Sequence, residues 1–498
     1  MSPSPSPYEI PVLIAGAGPA GLAAAATLAL HGVPSLVVER RSGPSTHPRA
    51  TTVSTRTMEL VRALGAEDDV LPHAVDVDWL LLRTPTMARA AEGFAVEVGL
   101  PTRAQAALIS PTAPACVAQD QLEWALVGAL RRGGVGKVWF GAEMTRFTVC
   151  ADGVRATVRT ADGTREVHAR HLVAADGARS AVREALGIPM HGSDDVLGAV
   201  TALFRAPLWD VVGDRRYGIY ATTDPGVEGT FLPWAPGDRW GFGVLVDVSG
   251  GAPPLPTADE MLLRLRRAAG VPALPVEIER VGWFTSAARV AERFREGPVF
   301  LTGDAAHRVT PRGGTGMNTA FHDGHDLGWR LAWVHHGWAP PSLLDGYEEE
   351  RRPVAEHNVA RSADPDGSAR PSGEELRIDL GGRIAHHWIP GPGGARRSTL
   401  DLAGRGLTLV TGPEDEAWRH AAGAIDPLVP VAVEAVDAFT ARALGIRPGG
   451  ATLIRPDAVP VAVWPSPDGA GERLAAAVAD ATSRAPGALR EASAAGRG

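Results

Sequence analysis

Apolar positions run unbroken over residues 10–15, break at Gly16-Ala17-Gly18-Pro19-Ala20-Gly21, resume as an alanine- and leucine-rich stretch over 22–30 and return over 35–39. Short unbroken runs bounded by turn residues predict strands buried on both faces, and the alanine-leucine stretch between them predicts a helix. Helical spacing recurs over 54–64, with Ser54 as N-cap, and over 120–130. Alternating or apolar segments over 138–140, 147–150, 154–159 and 167–175 predict successive strands ending at Asp176-Gly177. Residues 299–302 predict another buried strand, followed by a glycine-rich turn and a helix over about 319–334. Residues 200–248 are the aromatic-rich section of a chain with few aromatics, and Tyr217, Tyr220, Phe231 and Trp234 fall there among β-formers, which predicts a separate sheet. Residues 364–373 and 390–394 have linker composition. Beyond them, strands over 407–410 and 451–454 and helices over 416–422, 436–444 and 471–481 predict a small α/β domain.

The first of these patterns carries chemistry. Strand, glycine turn, helix and strand make a βαβ unit with a dinucleotide fingerprint. Gly16 permits the tight turn, Gly18 lets backbone approach a pyrophosphate, and Gly21 lets helix and strand pack closely. Glu39 closes the second strand, placed to accept hydrogen bonds from a ribose. An acid there disfavours a 2′-phosphate, which leaves FAD or NAD ahead of NADP at this site. The second glycine turn, over 311–316 after Gly303-Asp304-Ala305-Ala306-His307, again offers free N–H groups at a helix start. Two such turns, about 300 residues apart, are able to grip opposite ends of one long cofactor.

Composition narrows the classes. A length of 498 residues predicts two to four domains, and 45% apolar with 21% charged residues is ordinary globular composition. The net charge of −8 supplies no field for polyanions, so nucleic-acid binding is not expected. Cys116 and Cys150 are the only cysteines, too few for a disulfide framework or a thiolate metal site. No apolar run is long enough to span a membrane, and the Ser/Pro-rich start lacks a signal-peptide pattern, so a cytoplasmic protein is expected. His322, Asp323, His325 and Asp326 fall in one helical turn, poor geometry for four ligands, and no metal is expected.

Together the motifs resemble the flavin-dependent aromatic hydroxylases of the para-hydroxybenzoate hydroxylase fold, in particular bacterial polyketide hydroxylases with a C-terminal thioredoxin-like domain. Residues 16–21 match the family's first fingerprint, Asp176-Gly177-Ala178-Arg179-Ser180-Ala181-Val182-Arg183 its middle motif, and residues 303–307 the motif whose aspartate holds the FAD ribityl chain. The resemblance implies an α/β fold: a Rossmann-like FAD-binding domain, an inserted mixed β-sheet substrate domain and a C-terminal thioredoxin-like α/β domain. The expected divisions are 1–190 (with a substrate-domain segment near 75–110), 191–285, 286–365, a linker over 366–397, and 398–498.

The resemblance also assigns residues. Gly16, Gly18, Ala20, Gly21, Glu39, Arg40, Arg49, Gln119, Met144, Asp176, Gly177, Gly303, Asp304, Pro311, Gly313, Gly314, Gly316, Met317 and Asn318 would contact non-covalent FAD. Backbone N–H groups around Pro311 and Gly314 would stabilise charge at the isoalloxazine edge. Tyr217, Tyr220, Phe231 and Trp234 are the expected substrate contacts. The implied reaction is reduction of flavin by transient NADPH or NADH, O2 addition to give a C4a-hydroperoxide, and hydroxylation of a polycyclic polyketide phenol by a monomer or homodimer. An NAD-dependent dehydrogenase, a flavoprotein that sequesters or inactivates an aromatic drug, and Baeyer-Villiger insertion stay open as alternatives. The C-terminal domain, without cysteine, is expected to lack thiol chemistry.

Overall fold

In the computed structural model, which describes residues 8–45, 50–247, 251–413, 415–425 and 430–483, the two N-terminal apolar runs become adjacent parallel strands, Tyr8–Ala15 and Ser35–Glu39. Helix Pro19–Leu30 joins them and is buried almost throughout. A helix apolar on all sides needs cover on all sides. The sheet provides one wall, and helices Gln119–Gly133 and Gly316–His335 provide the others.

The parallel strands lie in the order Val299–Leu301, Gly163–Ala174, Tyr8–Ala15, Ser35–Glu39, Gly136–Phe140. Strand order reverses at Tyr8–Ala15, so the crevice outside its carboxyl end is the switch point where open α/β sheets bind ligands. Glu143–Cys150 and Gly153–Thr160 extend the sheet as an antiparallel arm on Gly163–Ala174.

A second sheet of eight strands runs in the order His307–Arg308, Glu277–Ala291, Met190–Arg205, Arg239–Val246, Gly229–Ala235, Tyr217–Thr222, Asp78–Thr84, Phe94–Glu97. The last two come from a segment well before the main insertion. One face is covered by helix Ala258–Ala269, whose start is fixed by a capping box between Thr257 and Glu260. Met261, Leu265, Ala268 and Ala269 of this helix pack among Phe204, Tyr220, Phe231, Trp240 and Phe242.

The C-terminal sheet has the order Val431–Ala435, Leu407–Thr411, Ala451–Ile454, Pro460–Trp464, the first pair parallel and the others antiparallel. With helices Glu416–Gly423, Ala438–Ala443 and Ala470–Ser483 this is the βαβ-ββα plan of a thioredoxin fold. Trp329 and Trp333, on the long helix of the first domain, share a core with Trp418 and Trp464, so the C-terminal domain is packed onto the first. The stretch read as linker holds a helix, Ser372–Leu380. Its polar face, Glu375 and Asp379, masked the helical signal because both side chains are turned into the protein rather than to solvent.

Candidate functional site

The helices that follow the two glycine turns pack against each other. A Cβ on Gly324 would lie 2.1 Å from the Ala20 carbonyl oxygen, and one on Gly328 would lie 2.8 Å from Thr27 Cβ. Only glycine permits helices Pro19–Leu30 and Gly316–His335 to approach so closely. Ala20 opens the first helix while Gly324 lies eight residues into the second, so the second N-terminus stands about 12 Å beyond the first along the helix. Gly303, at φ +59°, sits against Ala20 and Ala320 and carries Asp304 to the same place.

The first turn behaves as its spacing predicts. Gly16 (φ +106°) lies so close to the end of strand Gly163–Ala174 that a Cβ would fall 2.2 Å from the Ala175 oxygen, whereas a Cβ on Gly18 would meet nothing within 4 Å. Gly18 therefore leaves an open approach to the helix N-terminus. Ala20 and Gly21 form its first turn.

Glu39 is buried, and its carboxylate accepts from the Ala17 N–H at 2.9 Å and from the Arg41 N–H and guanidinium. Burial raises its pKa, but the Arg41 and backbone hydrogen bonds outweigh burial and hold it below the usual value. Arg40 is exposed, so the basic partner of Glu39 is its second neighbour. Gln119 donates to Glu123, which also accepts from the Ser45 N–H, and Met144 is half-buried on the antiparallel arm. Arg49 lies outside the described residues.

Asp176 accepts the Val182 N–H through Oδ2, while its Oδ1 is buried without a hydrogen-bond partner. Burial raises its pKa. Gly177, at φ +87°, follows with open space on its Cα.

Asp304 is half-buried and accepts no hydrogen bond from the described residues. The turn that carries it is held by Asp323, which is completely buried. Asp323 accepts from His307 Nε2 at 2.7 Å, from Arg351 at 2.8 Å and from the Gly303 N–H at 3.2 Å. Burial raises the Asp323 pKa, but His307 and Arg351 overcome it and bring it to about 2. His307 and Asp323 thus secure the turn, and the Asp304 carboxylate is left without a hydrogen bond among the described residues. Asp323 is a site residue that sequence reasoning set aside as part of a polar turn.

The second turn is braced from behind. Gly313 (φ +79°) lies against the Arg361 guanidinium, where a Cβ would fall 2.7 Å from its central carbon, and Gly314 (φ +63°) lies against Thr52. Pro311 precedes them, and Gly316 and Met317 begin the long helix. Asn318 donates to the Gly314 carbonyl at 2.8 Å and to the Thr52 carbonyl at 3.0 Å.

Of the expected substrate contacts, two are corrected. Tyr220 and Phe231 are fully buried beneath helix Ala258–Ala269, and the Tyr220 hydroxyl donates to the Arg215 carbonyl at 2.6 Å. Strand alternation sends them away from the first domain. Tyr217 packs half-buried against the same core. Trp234 lies on the opposite face, its ring over Gly241.

That opposite face carries Ile219, Ala221, Leu232 and Trp234, with Gly241 and Gly243 on the neighbouring strand. It is joined to the glycine turn by Cys116, which pairs with Thr52 in the backbone and donates its thiol to the Pro233 carbonyl at 3.5 Å. Burial pushes the Cys116 pKa up to about 12, so it is a thiol. A signal was present in Trp240-Gly241-Phe242-Gly243: large rings on one face, glycines on the other.

The polar helix cluster is tied into ion pairs. Asp326 meets Glu350 and Asp457, and the Arg330 and Arg455 guanidiniums pair with these carboxylates at 2.7–2.8 Å. No helix among the described residues is long and apolar enough to cross a membrane.

The donor set fits FAD. An unengaged carboxylate at Asp304, a buried orphan oxygen at Asp176, an open glycine at the first helix N-terminus and a second helix N-terminus further along suit the ribityl chain, the pyrophosphate and the flavin ring of one extended molecule.

Comparison with known proteins agrees. Residues 9–362 match the family described as FAD binding domain, and residues 378–485 match aromatic-ring hydroxylase, C-terminal. The chain is 34% identical to tetracenomycin A2 monooxygenase-dioxygenase from Streptomyces glaucescens, over 91% of this chain and 93% of that one. Among solved structures it resembles the flavin-dependent monooxygenase PieE in complex with FAD and substrate (TM-score 0.85, 27% identity, 96% of this chain and 100% of that one). It also resembles aklavinone-11 hydroxylase in a ternary complex with FAD and aklavinone (TM-score 0.84, 32% identity, 95% and 99%).

Proposed function

From the premise that this chain belongs to the FAD-dependent aromatic-ring hydroxylases, we propose that it hydroxylates a polycyclic, polyketide-type phenol at the expense of NAD(P)H and O2 in secondary-metabolite biosynthesis. Bound FAD supplies the oxygen chemistry that side chains lack. The chain binds it, orients it and keeps water away. In this reading residues 16–21 and Glu39 hold the adenosine end and pyrophosphate, Asp304 takes the ribityl hydroxyls, and N–H groups over 312–316 face the ring edge, where they stabilise developing negative charge.

The observation that carries the substrate class is the face opposite helix Ala258–Ala269. It is apolar and glycine-lined over these residues, Arg83 and Arg280 on the same face are exposed, and three other arginines of this domain are engaged elsewhere. Arg205 and Arg239 pair with Glu279 at 3.0 and 2.7 Å, and Arg216 stacks on Trp209 at 4.7 Å. A small benzoate needs a fixed cation beside its carboxylate, while a fused phenol needs area and few polar anchors.

The test compares NAD(P)H oxidation stimulated by an anthraquinone or angucycline-type phenol with that stimulated by hydroxybenzoates, with products solved by NMR. Coupled hydroxylation of the fused phenol is expected. Coupled turnover of hydroxybenzoates alone would overturn the substrate class, and a product with oxygen inserted beside a ketone would move the reaction to the Baeyer-Villiger type.

A further inference from the structure

Helix Thr55–Ala63 sits at a junction. Its N-cap, Ser54, gives its backbone N–H to Asn318 Oδ1 at 2.8 Å, and Thr57 Oγ1 gives a second hydrogen bond to the same oxygen at 2.8 Å. Asn318 in turn holds the Gly314 carbonyl. On its other side the helix is gripped by the C-terminal part of the chain. Arg383 pairs with Glu59 at 2.7 Å, Arg62 pairs with Asp401, and Arg56 donates to the Asp457 carbonyl at 2.5 Å.

One carboxylate closes this arrangement. Asp379, on helix Ser372–Leu380, accepts the Ser54 hydroxyl at 2.6 Å and the Arg56 N–H at 3.1 Å. It lines a small cavity of about 40 Å³ together with Ser54, Gly313, Gly314, Asn318 and His322. A helix cap needs only one of the two acceptors already supplied, since Ser54 itself accepts the Thr57 N–H. By accepting the Ser54 hydroxyl and the Arg56 N–H together, Asp379 holds the backbone of residues 54–56, and with it the Ser54 N–H that reaches Asn318 and so Gly314.

We propose that Asp379 is a positioning residue for the glycine turn over 311–316, through which the redox-silent C-terminal region sets the geometry of the flavin-facing backbone. The inference rests on the assignment of that turn to the flavin edge. It gives the cysteine-free domain a task other than thiol chemistry: to hold helices Ser372–Leu380 and Thr55–Ala63 so that the Gly314 carbonyl and its neighbouring N–H groups stay in register. Loss of the Asp379 carboxylate leaves the FAD contacts of Asp304 and residues 16–21 in place, so FAD stays bound while the ring edge is less well ordered.

The experiment uses full-length holoenzyme with Asp379→Asn, Ser54→Ala and the double variant. The substituted amide keeps the volume of the carboxylate but turns a donor toward either the Ser54 hydroxyl or the Arg56 N–H. Three quantities are read: FAD affinity, visible circular dichroism of the bound flavin, and the fraction of NAD(P)H oxidised that appears as hydroxylated product rather than hydrogen peroxide. The expected result is full FAD occupancy, an altered flavin dichroism band and a product fraction lower by about tenfold in each variant, with the double variant no worse than either single one. Unchanged dichroism and coupling, with only a lower unfolding temperature, would make Asp379 a plain structural clamp and overturn the proposal. Additive losses in the double variant would also overturn it. The dichroism needs no substrate, so a wild-type enzyme that oxidises no fused phenol refutes the proposed function without deciding this one.

Discussion

Replacing Asp304 by alanine separates binding of FAD from stability of the chain. The Asp304 side chain accepts no hydrogen bond from the described residues, and its turn is held instead by Asp323 through His307, Arg351 and the Gly303 N–H. Truncation therefore removes no hydrogen bond or ion pair to the described residues, and the apoprotein should unfold at a nearly unchanged midpoint. Ribityl hydroxyls deprived of a charged acceptor lose about 1–3 kcal/mol, which raises the FAD dissociation constant roughly 5- to 150-fold. Asp323→Asn does the reverse. It strips a buried ion pair of one charge, which costs about 3–5 kcal/mol of apoprotein stability and exceeds any direct loss of FAD contact. The assay is a fluorescence titration of FAD into apoprotein, paired with urea unfolding of the same apoprotein. An unchanged FAD affinity in Asp304→Ala, or a fall in apoprotein stability as large as the fall in affinity, would show that Asp304 braces the turn and does not hold the cofactor.

Three further outcomes follow from the same structure. Arg455 is buried between Glu350 and Asp457, so Arg455→Ala should destabilise the protein by about 3–5 kcal/mol in urea unfolding, and a loss under about 1 kcal/mol would contradict the charge balance argued for that cluster. His325 is buried and held at a pKa of about 3 by burial first and by Arg56 next, so the unfolded chain takes up its proton well before the folded one does. Its contribution therefore falls as pH drops below about 6.5, and His325→Gln should flatten the pH dependence of stability by about 1.4 kcal/mol per pH unit between pH 6 and 4; parallel curves would refute this. Cys116 is a buried thiol and Cys150 lies on the antiparallel arm, so acid precipitation should release flavin into the supernatant, and yellow colour retained in the pellet would show a covalent bond.

Much of this protein is local in origin and was therefore readable along the chain. Residues 16–21 dictate a turn that only glycine makes, and the apolar runs around them have nowhere to go but a sheet buried on both faces. The Ser54 N-cap, the strands ending at Asp176-Gly177 and the small cysteine-free C-terminal domain follow from short-range pattern in the same way. Other features were decided only by packing. Alternation shows that Tyr220 and Phe231 share a strand face with one set of neighbours and Trp234 with another, but which face meets the first domain depends on where helix Ala258–Ala269 lands. Gly324 and Gly328 look like weak points in a helix until Ala20 and Thr27 arrive against them. Asp323 reads as part of a polar helix turn and Asp379 falls in the stretch read as linker, and their burial depends on partners up to 325 positions away in sequence. A chain specifies its turns and periodicities through neighbours a few residues apart. The value of a buried charge is set by groups that only the folded chain brings within hydrogen-bonding distance.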